Sequence, residues 1–561
     1  MKQLLTGTQM KQADTWSIQE FGMESLVLME RAALCVAQHI ISMRKPGAAF
    51  LLCGMGNNGA DGLAVARILV QKGWDVRVLA VGKCEKATRE WLYQKKLLDK
   101  MNIEVSLFSS RLDKEDFNGT KFAGELFEQW KVDLSKQYPQ ADVYIDALFG
   151  IGLAREVTGV YRAAIEEWNT RRAECGAYGV AVDICSGVDA GSGQMLGACI
   201  QADVQITFGY GKVGQFVYPG TAVAKKTMIC DIGFPKEAIH HIDGAPFEAF
   251  EQEDAVCLLG ERCPWGNKGT FGRVIILAGS EGMAGAAYLS ALAAYRTGVG
   301  LVEIITPECN RLILQQLLPE AVLCCIPEGA DEETVKELVN GELSKAKAIV
   351  VGPGLSTDLL AKQLVDAVLD WNESVNKKIE LEKRCPIVID ADALNLLAKK
   401  AEKQRKAGGE IVPLGFHVIL TPHPGELGRL LGILTKEVAA NLIACAEALQ
   451  KQFGCICVCK DARTVIYTRR KRYLNLTGNS GMATGGSGDV LTGVIASLAA
   501  QGLPAQKAAV LGVWLHGAAG DEAAKEKSPY SMIARDLTDG LSKVLVLIET
   551  SRKKVEIDAY A

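Results

Sequence analysis

No stretch of the 561 residues approaches the roughly 18–20 uninterrupted apolar residues needed to span a bilayer. The opening residues, MKQLLTGTQMKQADTW, lack the long apolar core of a secretory signal. An excess of one charge is lacking too. With 62 Lys and Arg against 66 Asp and Glu, the net charge of −4 gives no global footprint for nucleic acid or an anionic membrane surface. Framework cysteine spacing is also missing. The 17 cysteines are scattered, and Cys455, Cys457 and Cys459 alternate with Ile456 and Val458 as in a buried strand. A metal site would want CxxC-type spacing with histidine partners, and the chain has six histidines in all. The thiols are therefore expected to be reduced, mostly in cores, in a cytoplasmic protein. The densest basic run, Arg469 to Arg472, lies between two β-like stretches and is expected at a solvated hairpin tip.

What is present is a repeated α/β grammar, in a chain too long for one ordinary core. In the first half AAFLLCG (48–54), DVRVLAV (75–81), NIEVSLF (102–108), DVYIDAL (142–148), YGVAVDI (178–184) and ADVQITF (202–208) read as strands. Amphipathic segments such as DGLAVARILVQKG (61–73) separate several of them. Near-continuous apolar strands alternating with helices imply a parallel sheet covered on both faces. The grammar restarts at FGRVIILAG (271–279) and continues through 300–306, 347–354, 385–392, 416–426 and 455–461; from 485 onward the chain reads mostly helical. Periodicity is weak between 235 and 268, so the boundary is expected near 245, giving domains 1–244 and 245–561. The Lys-rich pieces 372–384 and 399–410 are expected to be exposed excursions.

In the first half CGMGNNGADG (Cys53–Gly62) follows a strand and opens a helix. Glycines there let backbone approach a ligand at a helix N-terminus, although a tight turn capped by Asn or Asp would read the same. Oxygen-bearing residues close other strands: Asp146 in VYIDALFGIGL, and Asp183 with Ser186 in VDICSGVDA. The C-terminal strand ends of a parallel sheet share one edge, the usual ligand crevice. Asn58, Asp146 and Ser186 offer hard oxygens with one certain charge, which suits a loosely held cation better than a transition metal.

GNNGADG, DALFGIGL and DICSGVDAGSG, in this order, resemble the N-terminal, epimerase domain of the NAD(P)H-hydrate repair enzymes over residues 1 to about 240. The resemblance implies a Rossmann-like three-layer α/β/α domain that interconverts the R and S forms of hydrated NADH and NADPH. It implies potassium held by Asn58, Asp146 and Ser186. It also implies a dinucleotide held by Asn57, Asn58, Gly59, Ala60 and Asp61, by the loop Gly150, Ile151, Gly152, Leu153, Ala154, Arg155 and Glu156, and by Asp183. Ala60 stands where a glycine is common, and Cys185 where a proline is common. Epimerisation needs a carboxylate to shuttle a proton as the hydroxyl leaves and returns. Asp183 is the candidate, with a turn-capping role as the alternative.

In the second half NSGMATGGSGD (479–489) runs straight into VLTGVIASLAAQG, a helix by periodicity. Consecutive glycines before a helix make a nest of N–H donors for a phosphate or oxyanion. No lysine follows, so this is not the Walker form. Asp489 falls in the first turn, where it is either a cap or a base for phosphoryl transfer to a hydroxyl.

KGTFGRVIILAGS (268–280), GPGL (352–355), DADALN (390–395), TPHPGE (421–426), KDART (460–464) and the glycine loop together resemble the ribokinase-like dehydratase domain of the same family, over about 250–550. The resemblance implies a lyase in which a nucleotide phosphorylates the S-hydrate hydroxyl and elimination of phosphate restores the nicotinamide double bond. The fused arrangement favours ADP as co-substrate, with Mg²⁺. Gly354, His423 and Asp489 would touch the hydrate; Lys460, Asp461, Ala462, Arg463, Thr464 and Gly488 the adenine nucleotide. Asn479 to Ser487, with Thr484, Gly485 and Gly486 among them, would line its phosphates. Asp461 stands where a glycine is usual.

The expected partners are therefore small molecules, the NADH and NADPH hydrates and ADP, with no nucleic acid and no membrane. A homo-oligomer is the expected assembly. Two other readings stay open: a ribokinase-like vitamin or sugar kinase carrying an N-terminal ligand-binding module, and a non-enzymatic dinucleotide sensor. Retention of Asp146, Asp183 and Asp489 argues against the sensor.

Overall fold

In strand Ala48–Cys53 every residue after the first is buried, and odd and even positions serve two different cores. Leu51 and Cys53 pack with helices Ser25–Met43 and Asn57–Gln71, whereas Phe50 and Leu52 join Trp168 of helix Gly159–Cys175. A strand apolar on both faces requires a layer on each side, and this is the central strand of a three-layer unit. The computed structural model describes residues 1–108 and 120–560. The chain divides into two compact units, Gln3–Pro246 and Phe247–Ala561 together with Met1–Lys2.

The N-terminal unit holds a seven-stranded, all-parallel sheet. Its spatial order is Val105–Phe108, Asp75–Val81, Ala48–Cys53, Val143–Ala147, Tyr178–Val182, Ala202–Phe208 and Ala224–Cys230. The order reverses between Ala48–Cys53 and Val143–Ala147, so the crevice of the unit opens at the ends of these two strands. Helix Ser25–Met43 is long and apolar enough, by length and composition, to cross a membrane. It passes that test despite Glu30 and Arg31, which the expectation drawn from uninterrupted runs did not allow for. Its stripe of Leu28, Ala32, Val36 and Ile40 is buried in the core of this unit.

The C-terminal unit carries seven parallel strands: Val322–Ile326, Leu301–Pro307, Arg273–Leu277, Ala348–Val351, Ile387–Ile389, Val418–Leu420 and Ile456–Cys459. The antiparallel strands Val465–Tyr467 and Arg472–Leu474 follow, and Phe247–Ala249 pairs with the latter. Val274, Ile276 and Val350 pack with helices Ala284–Arg296, Ser487–Ala500, Ala505–Lys527 and Ala534–Tyr560. Alternate residues Ile275, Leu277, Ile349 and Val351 are equally buried on the opposite face.

Arg469 and Arg470 sit exposed at the turn of the Val465–Leu474 hairpin. All seventeen cysteines are free, but only Cys53, Cys185, Cys455, Cys457 and Cys459 are fully buried, so the expectation of mostly core thiols is corrected. The piece 372–384 is exposed at 373–375 and 378–381, as expected, and two buried asparagines tie it to the fold. Asn372 donates to the Leu414 carbonyl, and Asn376 exchanges hydrogen bonds with the Cys385 backbone. Residues 399–406 continue helix Ala391–Lys406, whose exposed side carries the lysines.

Candidate active sites

The glycine-rich turn of the N-terminal unit is shaped by contact. A Cβ on Gly54 would lie 2.0 Å from the Leu148 carbonyl, and one on Gly59 1.9 Å from the Gly54 carbonyl. Only bare backbone lets helix Asn57–Gln71 start this close to the neighbouring strand end. Gly59 and Ala60 are consequently buried in the packing, and the alanine is accommodated there.

Above the turn lies a cavity of about 810 Å³. Asn57, Asn58, Asp61, Asp183 and the loop from Gly150 to Arg155 line it; Gly59, Ala60 and Glu156 do not. The structure adds Asp14, Lys86, Tyr161 and Lys212, which motif reading missed.

Asp146 and Ser186 are buried and absent from that lining. Asp146 Oδ1 accepts from Ser186 Oγ (2.7 Å) and Leu148 N (3.1 Å), and Oδ2 accepts from Ser186 N (2.8 Å). Burial raises this carboxyl to about 6 against the pull of those donors. Nearby, the Asn58 amide has both polar atoms buried without a hydrogen-bond partner among the described residues. Asn58 lies against the same loop, since a Cβ on Gly150 would be 3.2 Å from its Cβ. An orphaned amide, a serine hydroxyl and one buried carboxylate are a donor set that fits a monovalent cation. Cys185, replacing the usual proline, donates its N–H to Gln205 Oε1 at 3.3 Å, a bond proline could not make.

Asp183 adopts φ +66°, uncommon for a residue with a side chain. Its Oδ1 accepts from Lys212 Nζ (2.6 Å) and Thr207 Oγ1 (2.9 Å), while Gln215 Nε2 donates to its carbonyl at 2.7 Å. The carboxylate therefore serves an ion pair and does not cap the turn that follows it.

In the C-terminal unit three adjacent strand ends supply Asp390, Thr421 and Lys460. Asp390 Oδ1 accepts from Lys460 Nζ (2.6 Å) and Thr421 Oγ1 (2.7 Å). Gly488 fits against this pair, because a Cβ there would lie 3.2 Å from Lys460 Nζ and 3.5 Å from Asp390 Oδ2. Next to it Asp489, in the first turn of helix Ser487–Ala500, makes no hydrogen bond through its carboxylate among the described residues. Burial, then Asp390, raises it to about 7, with Lys460 opposing. A cap would accept a backbone N–H; this carboxylate does not.

His423 is the N-cap of helix Pro424–Leu431. Its Nδ1 accepts from Gly425 N at 3.0 Å, leaving Nε2 as the protonated nitrogen of the neutral ring. Burial and Lys460 keep its pKa below the ordinary histidine value. Glu426, buried beside it, is raised to about 7 by burial and Asp390 against the pull of Lys460. Gly354, at φ +60°, packs on Ala286 and Met283, and its loop is tied down by Ser356 N donating to Asp392 Oδ2 at 2.8 Å.

After Lys460 the chain bends through Asp461–Thr464, with Asp461 and Ala462 exposed. Asp461 Oδ1 accepts from Ala462 N (2.8 Å), Arg463 reaches the Leu476 carbonyl, and Thr464 O accepts from Asn475 N. Asp461 has no positive φ, so the position does not demand the usual glycine. Asn479 and Gly478 are anchored to Asp521. The neutral His516, held near pKa 4 by burial, donates to the Ser487 carbonyl at 2.9 Å. Thr484 and Gly485 between these anchors are partly or fully exposed, so the nest is open at its tip. Gly486 is turned inward against Leu289. Asp390, Thr421 and Glu426 went unassigned in the sequence, although Asp390 carries the same strand-end signal as Asp146.

Two parallel-sheet units, each with carboxylates gathered at one strand-end edge, define an α/β enzyme with two separate centres. The description "NAD(P)H-hydrate dehydratase" matches residues 274–543, and "YjeF-related protein N-terminus" matches residues 25–214. The bifunctional NAD(P)H-hydrate repair enzyme Nnr of Moorella thermoacetica is 36% identical over 558 residues, 97% of each chain. That of Escherichia coli is 31% identical over 500 residues, 88% of this chain and 84% of the other. Among solved structures, the ADP/ATP-dependent NAD(P)H-hydrate dehydratase from Bacillus subtilis, co-crystallised with ATP/Mg²⁺, is similar at 31% identity. It spans 54% of this chain and 99% of its own, with a TM-score of 0.45. The chain belongs to the bifunctional NAD(P)H-hydrate repair enzyme family.

Proposed function

We propose the following division of labour in a bifunctional repair enzyme that epimerises the R and S hydrates of NADH and NADPH and dehydrates the S form. The N-terminal unit epimerises. Asn57, Asn58, Asp61 and the loop Gly150–Arg155 hold the hydrated dinucleotide, and Asp183 moves the proton. Asn58, Asp146 and Ser186 hold potassium, which when bound supplies a fixed positive charge beside the crevice.

The C-terminal unit dehydrates. Lys460 to Thr464 and Gly488 hold an adenine nucleotide, and the loop from Asn479 to Ser487 takes its phosphates on backbone N–H groups. Gly354 and His423 orient the hydrate, with His423 Nε2–H as a donor. Asp489 removes the hydroxyl proton as that oxygen takes the phosphoryl group. Phosphate then leaves with the C–O bonding pair, the neighbouring ring carbon gives up a proton to water, and the C–H pair restores the ring double bond. ADP is the co-substrate, giving AMP and phosphate. Mg²⁺ supplies charge neutralisation for the phosphates when bound. Asp489 directly follows the loop, Asp390 lies against Gly488, and Asp521 is already engaged by Gly478 N and Asn479 Nδ2, a sparse set of free carboxylates that suits an ion ligated mainly by phosphate and water.

One observation carries this reading: Asp489 is a partly buried carboxylate with no hydrogen bond from a described residue, beside the Lys460–Asp390 pair at an open glycine nest. A carboxyl near 7 is matched to general-base work at neutral pH. The test supplies mixed R and S NADH hydrate with Mg²⁺, K⁺ and either ADP or ATP, and follows NADH absorbance and the nucleotide product. Complete recovery of NADH with AMP formation is expected. Accumulation of a phosphorylated product would make the C-terminal unit a kinase instead.

A further inference from the structure

Lys212 is about 1% exposed, and all three of its ammonium protons are committed. They go to Asp183 Oδ1 (2.6 Å), Thr207 Oγ1 (2.7 Å) and the Phe208 carbonyl (3.2 Å). A buried ammonium carries a large desolvation cost, offset here by full pairing. No proton is left for a substrate, so its effect acts through Asp183. The turn carrying it grips Asp183 a second time, because Gln215 donates to the Asp183 carbonyl and accepts from Lys212 N. Every donor on the Asp183 carboxylate falls on Oδ1, which leaves Oδ2 for the cavity.

Asp61 lines the same cavity on helix Asn57–Gln71, and Asp14 lines it on helix Gly7–Gln19. Neither carboxyl receives a hydrogen bond from a described residue. Burial, then the negative Asp183 and Asp14, raises Asp61 well above the carboxylate range, with Lys212 a weaker opposing influence. Asp14 is raised mainly by burial, and Lys212 is the first influence against it. Of the two, Asp61 is the one better kept protonated.

Resting on the assignment of epimerisation to this unit, we infer that its centre is a carboxyl pair with divided roles. Asp61 gives a proton to the departing hydroxyl, Asp183 takes one from the returning water, and Lys212 is the positioning residue that keeps the roles apart. The C–O bond next to the ring nitrogen breaks as the nitrogen lone pair forms a C=N bond, and the hydroxyl leaves as water with the Asp61 proton. Water then adds to the other ring face, its electron pair closing the C–O bond as the C=N pair returns to nitrogen. Its surplus proton passes to Asp183. Exchange with cavity water resets the pair.

The test follows conversion of purified R-NADH hydrate to the S form by the full chain, without nucleotide and at saturating potassium. Asp61→Asn, nearly isosteric and still able to hydrogen-bond the dinucleotide, should lower kcat about 10²–10⁴-fold with a much smaller change in KM. Asp14→Asn should cost at least about tenfold less in kcat than Asp61→Asn does. Lys212→Met should lower kcat about tenfold or more with little change in KM, because the Asp183 carboxylate loses the ammonium that fixes its Oδ1; Lys212→Arg should restore most of the turnover. If Asp61→Asn keeps its turnover, if Asp14→Asn is the variant that loses it, or if Lys212→Met keeps its turnover while Asp183→Asn is inactive, the divided pair is overturned and the assignment of the unit stands. If Asp183→Asn is itself fully active, that assignment fails as well.

Discussion

A side chain at Gly486 would run into Leu289: its Cβ would lie 2.4 Å from Leu289 Cδ1, and 3.1 Å from Ala534 Cβ. The residue also sits at φ +91°, in the left-handed region. Gly485, one position earlier, is exposed, and a Cβ there would meet nothing within 4 Å. The two glycines should therefore respond differently. Gly486→Val should lower the melting temperature, with about 1–3 kcal/mol lost to overpacking and about 1–2 kcal/mol to backbone strain. Gly485→Val should leave the melt within about 2 °C while weakening nucleotide binding tenfold or more, because it projects into the open nest. Thermal melts and calorimetric ADP titration of both variants check this.

Asp489→Asn keeps the size of the side chain and removes the base. Dehydratase turnover should fall about 10²–10⁴-fold, with ADP binding unchanged or tighter. A base must be ionised to act, so wild-type turnover should decline as pH drops through about 7. The stability effect has the opposite sense. A carboxyl raised in the folded chain binds more protons there than when unfolded, so its ionisation disfavours folding as pH rises from the ordinary carboxylate range through about 7. The Asn variant should then melt higher than wild type at pH 8 and no higher at pH 4. Near-normal turnover with a lowered melting temperature would return Asp489 to the role of a cap.

Asp146→Ala should abolish potassium-dependent epimerisation and leave dehydration of pure S-hydrate within about twofold. The substitution orphans the Ser186 and Leu148 N–H groups, each lost bond costing about 1–3 kcal/mol, so the N-terminal unit should also melt earlier. Asn58→Ala removes an unpartnered amide and orphans nothing. It should raise the potassium concentration needed for half-maximal epimerisation at least tenfold with little change in melting. Equal loss of both activities in Asp146→Ala would break the assignment of chemistry to units.

A fragment of residues 245–561 retains strand Phe247–Ala249, which pairs with Arg472–Leu474. It should dehydrate the S-hydrate at a rate within about threefold of the full chain and leave the R-hydrate untouched. Chromatography of the residual epimers checks this, and consumption of both at similar rates would defeat it.

Much of the frame was legible in the residues. Apolar runs ending in Asp146 and Asp183 read as parallel strands with chemistry at one edge, and both residues stand at the ends of strands Val143–Ala147 and Tyr178–Val182. What escaped notice had no local signature. Strands Val322–Ile326 and Ala224–Cys230 close the two sheets at their edges and are only partly buried, so their patterns are weak. Lys212, flanked by Gly211 and Val213, looks like a surface lysine until its pairing is seen. A charge set among glycines just after an apolar strand was the one available hint.

By itself the sequence determined the α/β class, the two-part organisation and the glycine loops, because hydrophobic period and glycine content act over a few neighbouring residues. Tertiary structure alone decided which glycine faces the nest and which faces Leu289, that Asn58 is left without a partner, and that Lys212 is locked onto Asp183. Those properties depend on the burial and spacing of groups 29 or more residues apart, and only the packed sheet brings such groups within hydrogen-bonding distance or removes them from water.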